Sequence, residues 1–139
     1  MKDQNCKYCQ ASEKIDVALK AAELEITNLY VTFDQSYKGR CILALKTHKT
    51  EFFLLNKDEQ AAFSRDLEKA TKAIWDAFKP NKLNYMVCGD LYPHFHMHLV
   101  PKYKGGKTWG GPFDMTLSEK DVLPEAEYAA IVEEIKKRL

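Results

Sequence analysis

Residues 93–101 read Pro-His-Phe-His-Met-His-Leu-Val-Pro, so histidines alternate with apolar residues. Alternation with a period of two is typical of a β-strand, where successive side chains point to opposite faces. We therefore predict a strand that presents His94, His96 and His98 on one face and buries its other face. Three of the four histidines in the chain lie within the five positions 94–98. The apolar face consists of Phe95, Met97 and Leu99.

This row of imidazoles indicates a functional site. Three adjacent protonated imidazoles would repel one another, which favours at least one neutral ring at pH 7. A neutral imidazole can act as a nucleophile, a base or a metal ligand. The alternative is a half-buried strand whose polar face is simply rich in histidine, and only structural context separates the two interpretations.

The composition is that of a globular protein, and 139 residues are enough for one domain with a sizeable core. The formal net charge is only +1, from 21 basic and 20 acidic residues. This balance gives no electrostatic case for a nucleic acid or a membrane surface as the main partner. No apolar run approaches the roughly 20 residues that span a bilayer. The segment Met1–Cys6 lacks the apolar core of a signal peptide, so we predict a cytoplasmic protein.

The four cysteines divide into two kinds. Cys41 and Cys88 lie in apolar, strand-like runs and are predicted to be buried free thiols. Cys6 and Cys9 form a Cys-x-x-Cys motif, whose spacing suits one tetrahedral metal ion. A redox role would require a βαβ context, which the charged, Ala-rich segment that follows does not supply. A metal site would need two further ligands, and the obvious candidates are the four histidines, including His48. The alternative to a metal site is that Cys6 and Cys9 are two surface thiols on a disordered end.

The remaining pattern predicts an α+β fold with a five-stranded antiparallel meander, one long packed helix and a C-terminal helix. A short helix is expected over Ser12–Ala22. Asn56 with Glu59 resembles a capping box that opens the long helix, and Pro80 ends it. We expect one domain over residues 1–139, with a Cys-x-x-Cys segment at 1–12 and a C-terminal helix at 118–139. The five strands are predicted at 23–27, 29–33, 40–45, 83–88 and 93–101.

The histidine stretch resembles the signature of the histidine-triad (HIT) superfamily, His-x-His-x-His followed by apolar residues. Other motifs follow in the family's order: the hairpin at 34–41, Lys46-x-His48, the long helix and Leu83-Asn-Tyr85. The resemblance covers about residues 23 to 104. It is closer to the bacterial HIT hydrolases of the diadenosine polyphosphate hydrolase type than to the eukaryotic branches.

The resemblance implies a mechanism and a set of site residues. The middle histidine, here His96, would attack the α-phosphorus of a nucleotide derivative, and His98 would orient it or bind a phosphate oxygen. His94 would organise the phosphate site or bind zinc. In members with an N-terminal Cys-x-x-Cys motif, the zinc ligands would correspond to Cys6, Cys9, His48 and His94, a closed set typical of a structural site. Family members commonly form homodimers whose sheets continue one another, and a homodimer is expected here.

Some positions depart from the family pattern, and others are expected to bind substrate. Arg40 replaces a histidine often found in the hairpin, so it would face a phosphate or solvent. Asp90 stands where a Gln or Asn often contacts substrate, and it would repel phosphate unless Arg40 or Lys102 offsets its charge. Lys102 is a further candidate phosphate ligand. Asp34 is placed like an acidic residue that binds ribose hydroxyls, although an ordinary turn Asp is equally consistent.

Three functions remain open at this point. The first is a nucleotide hydrolase or transferase that acts on nucleoside phosphoramidates or dinucleoside polyphosphates. The second is a nucleotide-binding regulatory protein with little turnover. The third is an enzyme whose three histidines hold one metal ion, but alternate strand positions spread these residues over about 13 Å. That span disfavours a common ion.

Overall fold

The computed structural model describes residues 2–115 and 121–139. Helix α1 spans Lys7–Gln10, the long helix α2 spans Lys57–Phe78, and α3 spans Glu125–Lys136. The strands are β1 Lys14–Ile15, β2 Ala18–Glu23, β3 Thr27–Thr32, β4 Cys41–Leu45, β5 Lys82–Met86 and β6 His96–Lys102. A short 3₁₀ turn at Phe52–Leu54 precedes α2.

The strands form one antiparallel sheet in the order β1-β2-β3-β4-β6-β5. The predicted α+β class is confirmed, but the prediction of a five-stranded meander is wrong in two respects. The described residues form six strands, and β6 lies between β4 and β5. Because β4 and β5 are both antiparallel to β6, they run parallel to each other, and parallel strands need a long crossover. Helix α2 supplies that crossover and leaves a gap in the sheet that the histidine strand fills.

The predicted helix at Ser12–Ala22 is wrong, because β1 and β2 pair there as a hairpin. Ile15 and Ala18 are buried in one cluster with Tyr8 and Tyr30, so packing overrides the helix propensity of the Ala-rich segment. The strand predicted at 23–27 is also wrong in its centre. Residues 24–26 form a tight turn between β2 and β3, which a hydrogen bond from Leu24 N–H to the Thr27 carbonyl closes at 2.8 Å.

Helix α2 begins with the predicted capping box between Asn56 and Glu59. Its buried Asp66 accepts hydrogen bonds from the backbone N–H groups of Glu25, Ile26 and Thr27 and from the Thr27 hydroxyl, at 2.8–3.0 Å. A buried carboxylate with four donors is well satisfied. Asp66 therefore ties α2 to the β2–β3 turn, a role that its helical position does not indicate.

The C-terminal helix is shorter than the predicted range. Helix α3 begins at Glu125, directly after Pro124, and residues 121–124 are not helical. Residues 118–120 of the predicted range lie outside the described residues. Tyr128, Ile131 and Ile135 of α3 are buried in the main core.

The main core lies between one face of the sheet and helices α2 and α3, and it leaves the other face of β6 for the histidines. Phe95 and Leu99 of the histidine stretch belong to this core, together with Phe63 and Ile74 of α2. No helix in the described part of the chain is long and apolar enough to cross a bilayer.

Candidate active site and metal cluster

The predicted alternation of the histidine stretch is confirmed. His94, His96 and His98 are 1–6% exposed and share one face, whereas Phe95 and Leu99 lie in the core on the other. His94 precedes the first paired residue of β6, and His96 and His98 lie opposite Ala44 and Ile42 of β4. The three rings nevertheless have different surroundings.

His94 faces the N-terminal segment and forms a cluster with Cys6, Cys9 and His48. One potential ligand atom from each residue lies within 4.8 Å of all the others. The Nδ1 atom of His94 lies 3.3 Å from the Cys6 sulfur and 3.5 Å from the Cys9 sulfur, and His48 Nδ1 lies 3.5 Å from the Cys9 sulfur. Tetrahedral zinc, with its usual bond lengths to sulfur and nitrogen, places those atoms about 3.5 Å apart. The cluster therefore has the dimensions of a tetrahedral metal site.

The outer nitrogen of His94 is hydrogen-bonded as in metal-binding histidines, and that of His48 lies near a carboxylate without a hydrogen bond to it. His94 Nε2–H donates to the Leu45 carbonyl at 2.7 Å, which leaves the Nδ1 lone pair for a ligand. His48 Nε2 lies 3.8 Å from a carboxylate oxygen of Asp3. A carbonyl or carboxylate behind an imidazole fixes its orientation and raises its basicity as a ligand.

His96 faces a pocket and has a defined tautomer. Its Nδ1–H donates to the His94 carbonyl at 2.7 Å, so the lone pair lies on Nε2. Burial lowers the pKa of His96 below its usual range, the nearby charge of Lys7 lowers it further, and the hydrogen bond to the His94 carbonyl partly opposes them. The ring packs against Tyr8, with the ring centroids 4.9 Å apart. His96 is thus a neutral, oriented imidazole with a free nitrogen lone pair.

His98 is held in the opposite tautomer by Arg40. The Nη2 of Arg40 lies 3.4 Å from His98 Nδ1, and because a guanidinium can only donate, Nδ1 must accept. The proton of neutral His98 is therefore on Nε2. Burial, followed by the charge of Arg40, lowers the pKa of His98 to about 3. His98 can donate a hydrogen bond from Nε2–H but is not protonated at neutral pH.

The sequence left open whether Arg40 faces a phosphate or solvent, and the structure shows that it does not face solvent. Only 6% of it is exposed, and its Nη1 lies 3.6 Å from a carboxylate oxygen of Asp34. It follows Gly39, whose φ is +90° and whose hypothetical Cβ would lie 2.6 Å from the Phe78 ring. Only glycine fits this turn, which leads the chain into the site at Arg40.

The pocket in front of His96 and His98 has a volume of about 490 Å³. Asp34 and Arg40 line it, and Asp90 lies in the segment of residues 88–92 that borders it. The prediction that Cys88 is buried is wrong: β5 ends at Met86, and Cys88 is exposed in this segment. Cys41 is buried as predicted.

Asp34 and Lys102 differ in their relation to this pocket. One oxygen of Asp34 accepts hydrogen bonds from the Ser36 N–H and hydroxyl, as a turn Asp does, while the other faces Arg40. Lys102 is only 2% exposed, and its Nζ donates to the carbonyls of Thr108 and Gly111 at 2.8 and 2.7 Å. Lys102 is not among the pocket-lining residues, so its prediction as a phosphate ligand is corrected: its ammonium holds the 108–111 loop instead.

Sequence reasoning missed Lys7 and Tyr8, which line the same pocket. These residues lie between Cys6 and Cys9, so the motif could have indicated them. If both cysteines contact His94, the two residues between them must lie close to His96, which is next on the same strand face. The structure also disfavours a centre with three histidine ligands. Among residues 2–115 and 121–139, the cluster around His94 is the one group of three or more potential metal ligands, and it excludes His96 and His98.

Comparison with known proteins agrees with the fold and the motif. No protein-family model matches the chain. An uncharacterized HIT-like protein of Mycoplasma genitalium is 26% identical over 111 residues, which cover 76% of this chain and 79% of that protein. Protein Hit of Bacillus subtilis is 26% identical over 112 residues, 77% of each chain.

Solved structures of histidine-triad proteins share the architecture. One from Bradyrhizobium japonicum has a TM-score of 0.81 at 18% identity, and the match covers 88% of this chain and 91% of that one. A zinc-bound histidine-triad family protein from Mycobacterium smegmatis has a TM-score of 0.67 at 16% identity, with 96% and 94% covered. In its His-x-His-x-His strand, its sequence relatives and its fold, the chain is thus similar to proteins of the histidine-triad superfamily.

Proposed function

We propose that this protein is a nucleotide hydrolase or transferase that acts at an α-phosphate through a nucleotidyl-His96 intermediate. The observation that carries the proposal is the tautomer of His96. The His94 carbonyl accepts a hydrogen bond from Nδ1–H, so the lone pair lies on Nε2, in a pocket of nucleotide size. Burial lowers the pKa of His96, which keeps the imidazole unprotonated and nucleophilic at neutral pH.

The two pocket histidines would divide the work of the first step. The Nε2 lone pair of His96 would form the bond to phosphorus, and the leaving group would depart with its electron pair. His98 would donate an Nε2–H hydrogen bond to an oxygen of the reacting phosphate, because Arg40 occupies its Nδ1. A preorganised donor of this kind stabilises charge that develops in the transition state. In the second step a water oxygen would bond to the phosphorus and lose a proton to solvent, and the phosphorus–nitrogen bond would break with its electron pair returning to His96 Nε2.

We propose that Asp34 and Asp90 contact the nucleoside part of the substrate. Both residues line the pocket, and a carboxylate oxygen can accept hydrogen bonds from ribose hydroxyls. Asp34 already accepts two hydrogen bonds from Ser36, which fix its orientation before a ligand binds. Their carboxylates add negative charge to the pocket, so a cation must face the phosphates.

We also propose that Cys6, Cys9, His48 and His94 hold a structural zinc ion. The sulfur–nitrogen distances in the cluster fit a tetrahedral site, and four protein ligands leave no open position for catalysis. Bound zinc would supply folding free energy and hold the N-terminal segment against the active strand. His94 would then serve as a metal ligand rather than as a catalytic residue.

A cytoplasmic homodimer remains a proposal from the family resemblance. One observation supports the interface: β5 is an edge strand of the sheet, and its Tyr85 is 51% exposed. An unpaired edge is where a second copy could continue the sheet.

The test is intact mass after single-turnover mixing with diadenosine tetraphosphate or adenosine 5′-phosphoramidate, quenched at alkaline pH because the phosphorus–nitrogen bond is acid-labile. We expect one added nucleotidyl group on the wild type and none on His96→Ala, with turnover lowered at least about 1000-fold. His98→Ala is the matched control, because it loses a neighbouring imidazole and keeps the nucleophile, so the adduct should still form, more slowly. An adduct on His96→Ala would refute the assignment. Neither adduct nor substrate consumption in the wild type would favour the nucleotide-binding regulatory role.

A further inference from the structure

Two cationic side chains line the histidine pocket among the described residues, Lys7 and Arg40. Arg40 is already engaged, because one of its nitrogens faces Asp34 and another donates to His98. The ammonium of Lys102 is held by two loop carbonyls elsewhere. Lys7 is therefore the cation that is best placed to receive an anionic part of a ligand in this pocket.

Lys7 is held at the pocket by the elements on both sides of it. It lies in α1 between two cysteines of the metal cluster, and the adjacent Tyr8 packs on the rings of His94 and His96 at 5.2 and 4.9 Å. The Lys7 side chain is 19% exposed, and its Nζ lies 3.6 Å from the centre of the Tyr92 ring. The ammonium thus connects α1 to the 88–92 segment across the pocket.

The ammonium also has capacity to bind a ligand. Its Nζ donates to a carboxylate oxygen of Asp16 at 3.2 Å. An ammonium has three donors, and one is used here, with the Tyr92 ring as a weak additional partner. At least one N–H remains for a phosphate oxygen. Asp16 itself is 60% exposed, so water can solvate its carboxylate when the lysine shifts toward a ligand.

We propose that Lys7 binds the departing phosphate of the substrate and makes the site selective for nucleotides whose leaving group is an anionic phosphate, the dinucleoside polyphosphate class, over nucleoside phosphoramidates. This inference rests on the function proposed above. It assigns Lys7 to the leaving group and Arg40 to His98, so the two cations of the pocket have different roles.

The chemistry of the first step explains the selectivity. With a polyphosphate, His96 Nε2 bonds to the α-phosphorus, the bond from phosphorus to the bridging oxygen breaks, and its electron pair stays on the departing phosphate. That phosphate gains a negative charge, which a nearby ammonium stabilises. With a phosphoramidate whose nitrogen is protonated, the phosphorus–nitrogen bond breaks and neutral ammonia leaves. No new negative charge forms on the leaving group, so Lys7 has little to stabilise. The second step is common to both substrates.

The test compares kcat/KM of Lys7→Ala on diadenosine tetraphosphate and on adenosine 5′-phosphoramidate. We expect a loss of about tenfold to hundredfold on the first substrate, the size of a hydrogen bond to a charged group, and less than about threefold on the second. Lys7→Arg should retain most of the activity on both. Lys20→Ala is the matched control, because Lys20 pairs with Glu23 on β2, away from the pocket, and both activities should stay unchanged.

Equal losses on the two substrates would overturn the proposal, since they would indicate a merely structural lysine, and so would no loss on either. An independent measurement uses the His96→Ala variant, which cannot turn over substrate. Calorimetry should show that adding Lys7→Ala to this variant weakens ATP binding about tenfold and AMP binding far less. If the wild type consumes neither substrate, the proposed function fails, and this ratio of affinities still decides whether Lys7 binds phosphates beyond the first. An unchanged ratio would refute the assignment.

Discussion

His94 and His96 are two positions apart on one face of the chain, yet they belong to regions with different chemistry. The Nδ1 lone pair of His94 faces two thiols and a second imidazole. His96 instead donates a hydrogen bond from Nδ1–H to a carbonyl, and its Nε2 lone pair faces the pocket. The identity of the side chain is the same in both regions. The hydrogen bond at the other ring nitrogen decides which atom is available and in which direction.

The two regions also differ in charge. Arg40 and Lys7 stand beside the pocket histidines, and after burial, the main cause, both of their charges lower the pKa of His98. The pKa of His94 is lowered by burial and by the neighbouring imidazoles of His48 and His96, with no fixed cation. A cation site needs thiolates and neutral imidazoles, whereas a site for phosphate needs positive charge. Adjacent residues of one strand are therefore suited to opposite ligands.

The largest expected effect comes from removing a ligand in the metal region. Cys9→Ser should reduce bound zinc from one ion per chain to near zero and lower the free energy of unfolding by several kcal/mol, because the binding of a structural zinc ion typically contributes about 10–16 kcal/mol. Metal analysis by mass spectrometry and thermal unfolding are the measurements. Cys88→Ser is the matched control, because this thiol lies outside the cluster and its loss should leave the metal content unchanged. Zinc retained by Cys9→Ser would contradict the assignment.

The next effect is a dependence of stability on pH that His98 should dominate. Its native pKa is about 3, and an unfolded histidine titrates near 6.5, so the unfolded state binds the extra proton between these values. Stability from this group is therefore complete above about pH 6.5 and decreases as the pH falls, by up to about 1.4 kcal/mol per pH unit. Urea unfolding between pH 7 and 5 should show a smaller slope for His98→Asn than for the wild type. Equal slopes would show that His98 is not buried as a neutral ring.

The smallest effect is expected when one cation of the pocket is removed, which tests the difference in charge between the pocket and the metal cluster. Arg40→Gln keeps a hydrogen-bond donor near His98 Nδ1 but removes the positive charge, so the pKa of His98 should rise. We expect kcat to fall about tenfold, equivalent to about 1.4 kcal/mol, and the acidic limb of the rate profile to move to higher pH. Lys20→Ala should leave that limb in place. A lower rate with an unchanged pH profile would indicate a structural role for Arg40 alone.

Local patterns predicted several features because they depend on neighbouring residues in the sequence. The period of two gave the two faces of β6, and the Asn56–Glu59 pair gave the start of α2. The Ala-rich segment at 12–22 was misassigned because its own propensity favours a helix, while burial of Ile15 and Ala18 in one cluster with Tyr8 and Tyr30 stabilises a hairpin. Lys102 was misassigned because nothing local indicates that loop carbonyls surround its ammonium.

By itself, the sequence determined the residue types available for chemistry and their order along one strand face, because alternation is a property of extended backbone. Through the family resemblance it also indicated the four possible metal ligands. Only the tertiary structure decided which imidazole meets which partner. Cys6 and His94 are 88 positions apart, and Arg40 and His98 are 58 apart, so these contacts exist only after the sheet is assembled. The Arg40 contact fixes the tautomer of His98, and the Leu45 carbonyl, 49 positions away, fixes that of His94, which leaves its Nδ1 for the metal cluster.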